Sequence, residues 1–241
     1  AGNPPPEAFP TEEIARITNE ILTTTPIDAL QYSITEGYTP LRNWIKDDLK
    51  KKGMFDESEE DVVITSGAQQ AIEGVTKEIC NEGDVIICEA PTFIGSLNAF
   101  RSYNAKLVGI DMDDDGINIE KLEAALEKYQ RTAFIYLIPN FQNPTGKTMS
   151  LEKRKKVLEL AQKYNVYILE DNPYGDLRYF GEDVPTIKSL DKTGHVLYAG
   201  TFSKTLACGI PLRAKERNRK GSSLHAGFNR SHLYPAADDR L

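Results

Sequence analysis

The sequence predicts an α/β fold built on a mostly parallel sheet. Three observations predict it: short runs rich in β-branched residues, amphipathic stretches of helical period between them, and turn residues at the junctions. Residues 1–10, AGNPPPEAFP, are expected to form an extended arm, because successive prolines suit neither a helix nor a hydrogen-bonded ladder. A helix is expected from Thr11, where acidic residues fill the first turn of TEEIARITNEIL. QYSITEGYTP then supplies turn chemistry, and LRNWIKDDLKKKG reads as an amphipathic helix closed by Gly53. From there strand and helix alternate: VVIT (62–65) then AQQAIEGVTKEIC, DVIICEA (84–90) then FIGSLNAFRSY, AKLVGIDM (105–112) then INIEKLEAALEKY. The pattern continues as TAFIYLIP (132–139) then SLEKRKKVLELAQKY, VYILED (166–171) and, after a longer loop, HVLYAG (195–200). Such alternation calls for parallel strands joined by crossover helices. Open sheets of this kind bind ligands beyond the carboxyl ends of their strands, so the residues after each run are the candidates for chemistry.

Apolar residues make up 40% of the 241-residue chain, enough to bury the core of one large or two small domains. A net charge of −7 argues against nucleic acid or an anionic membrane surface as partner and favours small-molecule chemistry. Cys80, Cys88 and Cys208 lack metal-ligand spacing, and no secretory or transmembrane apolar run is recognisable. This reads as a cytoplasmic protein without a metal, in which Cys80 and Cys88 serve as small core hydrophobes.

Five stretches follow the strands. Ser66-Gly67-Ala68-Gln69-Gln70 opens a helix and offers backbone N–H groups, a hydroxyl, amides and the positive end of a helix dipole. That is either an anion site, most simply for phosphate, or a plain N-cap. Pro91-Thr92-Phe93 puts a ring at the mouth of the sheet, where core or rim packing would also explain it. Asn143 in NFQNPTG reads as the cap of a tight turn. Asp171 and Tyr174 set a carboxylate and a phenol three residues apart at a strand end, and Thr201 and Ser203 flank Lys204 with hydroxyls.

In order and spacing, ALQYSITEGYTPLR, SGAQQAI, PTF, NPTG, DNPYGDLRY and GTFSKTLA together resemble the fold-type I pyridoxal-phosphate aminotransferases, in the subgroup acting on 2-aminoadipate, kynurenine and aromatic amino acids. The resemblance covers about residues 1–209. It implies a three-layer sandwich, the large domain of that fold, and reversible transamination between an amino acid and a 2-oxo acid. It further implies that Lys204 forms the Schiff base with the cofactor and shuttles a proton, and that Asp171 faces the ring nitrogen. Asn143 and Tyr174 then donate to the ring's phenolate oxygen, and Phe93 stacks on the ring. Ser66, Gly67, Ala68, Gln69, Thr201 and Ser203 form the phosphate cup. By the same resemblance Tyr32 reaches the phosphate of a neighbouring subunit in a homodimer, while Gly2, Tyr38 and Asn143 border the substrate. Two other functions share the fold: the cofactor-binding sensor domain of a transcription regulator, and a β-eliminating lyase.

The resemblance ends after Gly209. The family places an arginine seven residues beyond the lysine, where this chain has Pro211, and Cys208 replaces a usual proline. Three segments are therefore expected: an arm and helix over 1–37, an incomplete cofactor-binding domain over 38–209, and an aberrant or disordered tail over 210–241. Translation out of frame would explain the tail, the alternative being a genuine variant end. The family's small domain and the antiparallel strand that follows the lysine are expected to be missing. An exposed sheet edge and an inactive fragment are the expected consequences.

Overall fold

Alternation within the buried strands decides how the layers stack. In β2 (Val85–Ala90) and β5 (Thr132–Leu137), Val85, Ile87, Ile135 and Leu137 join one core, while Ile86, Cys88, Phe134 and Tyr136 join a second. Successive side chains of a strand point to opposite faces, so runs apolar at every position must be covered on both. Helices α6 (Ile119–Lys128) and α7 (Leu151–Tyr164) cover the first face, and α4 (Gly67–Ile79) and α5 (Ile94–Ser102) the second. Helix α3 (Thr39–Lys51) packs Ile45 and Leu49 on Val62 of β1 (Glu60–Thr65). The result is the three-layer sandwich that the family resemblance implies. The computed structural model describes residues 5–207 and 213–218.

Local chemistry sets the helix ends. Asn118 and Ser150 cap α6 and α7 by accepting the backbone N–H groups of Lys121 and Lys153. Asn165 ends α7 in the left-handed conformation, and Gly53, at φ +67°, turns the chain after α3.

The remaining strands are β3 (Lys106–Asp113), β4 (Gly116–Ile117), β6 (Tyr167–Asn172), β7 (Val196–Thr201) and β8 (Arg213–Asn218). The sheet runs β1-β8-β7-β6-β5-β2-β3-β4, with β2, β3, β5, β6 and β7 parallel where they adjoin. From β2 the chain steps outward to β3 and then returns to the other side of β2 as β5. A switch point therefore opens between β2 and β5, the place where such sheets receive ligands.

Three expectations are corrected. The proline-rich arm is not wholly extended: Pro6–Ala8 form a single 3-10 turn, which proline tolerates at a helix start because the N–H it lacks would have no partner there. Two short helices, α2 (Pro26–Leu30) and α8 (Ile187–Leu190), and the two-residue β4 carry too few residues for a legible period. The third correction concerns the tail. β8 lies antiparallel between β1 and β7, where an open edge and a missing strand were expected. Its sequence, RAKERN, has no strand pattern. A slot between two strands offers unpaired N–H and C=O groups on both sides, and this backbone register needs no apolar alternation. Gly2, Cys208, Pro211 and residues 219–241 of the expected tail lie outside the described residues.

Ahead of the sheet, α1 (Thr11–Thr24) and α2 have no buried residue and expose Ile17, Ile21, Leu22, Ile27 and Leu30. Among the described residues no helix is long and apolar enough to cross a membrane, and no group of three or more His, Cys, Asp or Glu side chains could hold a metal ion.

Candidate active site

Strand register brings the candidate loops to one edge of the sheet. Thr65, the last residue of β1, and Thr201, the last of β7, both stand opposite Arg213 of β8. With strands about 4.8 Å apart, the loop at 66–69 and the turn at 202–204 leave the sheet at one level, roughly 10 Å from each other. Asp171 of β6 pairs with Ala199 of β7, five residues before Lys204.

The loop after β1 is not a plain N-cap. The Ser66 side chain makes no capping bond, and its N–H donates to Gln70 Oε1 at 2.5 Å. Gly67, at φ +85°, turns the chain sharply into α4. The amides of Gly67, Ala68 and Gln69 have no acceptor inside the helix and stand at its positive end. Gln69 Nε2 also donates to Gly95 O, at 3.2 Å, tying the first turn of α4 to that of α5.

Phe93 is half-buried and packs against the second core. A Cβ on Gly95 would lie 2.6 Å from its Cε1 and 3.3 Å from Gln69 Oε1, so the ring occupies space that only glycine leaves open. Gly95→Ala is expected to push the ring out of place and to cost about 1–3 kcal/mol in thermal unfolding, as overpacking does. Unchanged stability would mean that the ring does not bear on Gly95.

Asp171 is buried, and its Oδ2 accepts from Tyr136 Oη at 2.8 Å; that hydroxyl accepts in turn from Ser96 Oγ at 2.8 Å. One relay thus connects α5, β5 and β6 and leaves a carboxylate at the carboxyl edge of the sheet. Lys204 is half-buried in the turn after β7. Ser203 N donates to Thr201 Oγ1 at 3.1 Å and Thr201 Oγ1 to Ser203 Oγ at 2.9 Å, which gathers both hydroxyls beside the lysine. Tyr174, half-buried, lies two residues past the end of β6 and stands at the N-cap of a 3-10 turn. The next strand position, Asn172, faces the other side: it donates to Tyr198 Oη at 2.9 Å and lines a cavity of about 460 Å³ distinct from the group around Asp171.

Two candidates stand apart from this group. Tyr32 is 98% exposed, and Tyr38 is 47% exposed on the segment whose Glu36 O accepts Ile64 N of β1. Neither side chain is enclosed by the chain itself. Cys80 and Cys88 are core residues as expected, and burial pushes the Cys88 thiol up to about 11.

Sequence reasoning missed three residues. Gln142, not Asn143, holds the tight turn: its Oε1 accepts Thr145 N at 3.0 Å and Thr145 Oγ1 at 2.7 Å. Its Nε2 donates to Pro91 O at 2.7 Å and to Glu89 Oε2 at 3.2 Å. Glu89 Oε2 also accepts Ile138 N at 3.1 Å, and burial raises this carboxyl to about 8. Tyr136 is the third. A polar residue within an apolar run was the available signal for Glu89 and Tyr136, whereas nothing in FQNPTG marks the glutamine above the asparagine.

A buried carboxylate, a lysine and a helix start rich in free amides, gathered at the carboxyl edge of a parallel sheet, are the equipment of a ligand-binding α/β domain. The donor set suits pyridoxal phosphate in particular: amides and hydroxyls for a phosphate, a carboxylate for a ring nitrogen, an amine for an aldehyde and an aromatic face. The family model described as "Aminotransferase class I and II" matches residues 4–209. Aromatic-amino-acid aminotransferase 1 of Thermococcus litoralis is 45% identical over 88% of this chain and 52% of its own. Among solved structures, the multiple substrate aminotransferase of Thermococcus profundus superposes with a TM-score of 0.87, at 40% identity, over 91% of this chain and 56% of that one. The α-aminoadipate aminotransferase of Thermus thermophilus, solved with N-(5'-phosphopyridoxyl)-L-leucine, has a TM-score of 0.84 at 33% identity, covering 93% and 57%. The chain belongs to the class I and II aminotransferases. It spans about half the length of the curated relatives it matches.

Proposed function

We propose that the protein catalyses pyridoxal-phosphate-dependent transamination between an amino acid and a 2-oxo acid, of the 2-aminoadipate, aromatic or broad-specificity type. The observation that carries this is Asp171, a carboxylate buried at a strand end and paired in register with the strand that leads to Lys204. Pyridoxal phosphate supplies the electron sink that makes loss of an amino acid's α-proton feasible. Asp171 would hold the proton on the ring nitrogen, kept in place by the Tyr136 hydroxyl. Lys204 Nζ would hold the aldehyde carbon with release of water and, once displaced by the substrate's amino group, would move the proton between Cα and C4′. The amides of residues 67–69, with Ser66, Thr201 and Ser203, would neutralise the phosphate, and Phe93 would cover one ring face. Asn143 and Tyr174 would donate to the phenolate oxygen.

We further propose that residues 38–209 form the cofactor domain and 1–37 an arm that serves the assembly, in a cytoplasmic homodimer. The exposure of Tyr32 suits a side chain that reaches a neighbouring subunit's phosphate. Tyr38, Asn143 and Gly2 would border the substrate.

Borohydride reduction in the presence of pyridoxal phosphate, followed by peptide mapping, tests the assignment. A stable adduct is expected on Lys204, and none in Lys204→Ala. Labelling of another lysine instead would overturn it. Product analysis on a chain of the relatives' full length separates the alternatives: a new amino acid marks transamination, pyruvate with ammonia a β-lyase, and an adduct without turnover a sensor domain.

A further inference from the structure

We infer that Gln142, seated on Glu89, is a positioning residue that sets the spacing between the loop carrying Phe93 and the turn carrying Asn143. The two loops leave β2 and β5 on either side of the switch point, and no strand ladder continues between them beyond Cys88↔Tyr136. One buried carboxamide makes the connection. Its Nε2 reaches Pro91 O and Glu89 Oε2 on the β2 side, and its Oε1 takes both donors of Thr145 on the β5 side. Its own backbone closes the turn, with Gln142 N donating to Lys147 O at 2.8 Å and Gly146 N to Gln142 O at 2.5 Å. Glu89 in turn anchors on Ile138 N at the end of β5, so the amide cannot swing without leaving buried polar atoms unpaired.

Glutamine suits this place because it donates on one side and accepts on the other. Glutamate at 142 would set a carboxylate against the Glu89 carboxyl and leave Pro91 O without its donor.

The link to the cofactor rests on the proposed site, so the experiment has one arm that does not. In the full 241-residue chain, hydrogen exchange in Gln142→Ala is expected to rise together in segments 91–97 and 141–148, with the β5 core at 132–137 unchanged. Wild-type exchange at 91–97 would overturn the inference. In the second arm, Gln142→Ala and Gln142→Glu are expected to weaken pyridoxal phosphate binding about tenfold, measured by absorbance titration. Unchanged affinity in the single variants, with the Lys204 adduct present in the parent, would also overturn it. A parent chain that forms no adduct defeats the cofactor assignment alone, and the exchange arm then decides the inference.

Discussion

Arg154→Ala is expected to cost about 3–5 kcal/mol of unfolding free energy, the largest stability loss from any single side chain discussed above. The residue is fully buried in α7 although it is charged at every accessible pH. All five of its N–H donors are used: Nε on Met149 O at 3.0 Å, Nη1 on Val184 O and Pro185 O at 3.2 and 3.0 Å, and Nη2 on Pro139 O and Asn140 Oδ1 at 3.0 and 2.7 Å. Alanine would take a donor from each of these five acceptors, of which those on Met149, Pro139 and Asn140 lie in the interior, and would leave a cavity; Pro139 O would keep the Met149 N–H at 2.8 Å. It would also remove the positive charge facing the buried Glu170 carboxyl, which burial already pushes up. Arg154→Lys keeps the charge but offers fewer donors without the planar fork, so a loss intermediate between wild type and alanine is expected. Urea unfolding of the three proteins is the check; a loss below about 1 kcal/mol for alanine would mean that the network contributes little.

Glu89→Gln is expected to change the pH dependence of stability, with the sign set by a carboxyl whose folded value is raised. The ordinary value is 4.5 and the folded one about 8, chiefly through burial. Between these values the folded chain retains a proton that the unfolded chain has released. Wild-type stability should therefore fall as pH rises from about 4.5 to 8, by up to about 1.4 kcal/mol per pH unit from this group, and level off above. Glutamine copies the neutral carboxyl and does not titrate. The variant should match wild type within about 1 kcal/mol near pH 4.5 and exceed it by roughly 2–4 kcal/mol at pH 8. Chemical unfolding at several pH values reads the difference directly. Parallel curves for the two proteins would show that Glu89 is not titrating in this window.

Much of the fold was legible before any coordinates. Every long strand and helix from residue 39 to 201 was expected within about two residues of its place, because these segments carry enough apolar periodicity to state which face is buried. β8 escaped because RAKERN owes its conformation to the slot between β1 and β7 and not to its own pattern. At the candidate site, Lys204, Asp171 and the loop at 66–69 stand at strand ends, where an open parallel sheet puts ligand contacts. Their proximity was a different matter, since the register of β8 against both neighbours is what levels Thr65 with Thr201. Gln142 was passed over for Asn143 because turn statistics rank asparagine before proline as the capping residue. Glutamine's longer side chain reaches a neighbouring loop, and no local rule registers that.

What the sequence determined by itself was the alternation of parallel strands with crossover helices and the chemical types available at each strand end, since both follow from short-range period and residue chemistry. Only the tertiary structure decided which of those groups share one place, and that a buried Glu89 and Gln142 join two loops across separations of 51 and 53 residues in the chain. The physical reason is that burial and long-range hydrogen bonds belong to the packed chain as a whole. A carboxyl is raised toward 8 by what surrounds it, not by the residues beside it in sequence.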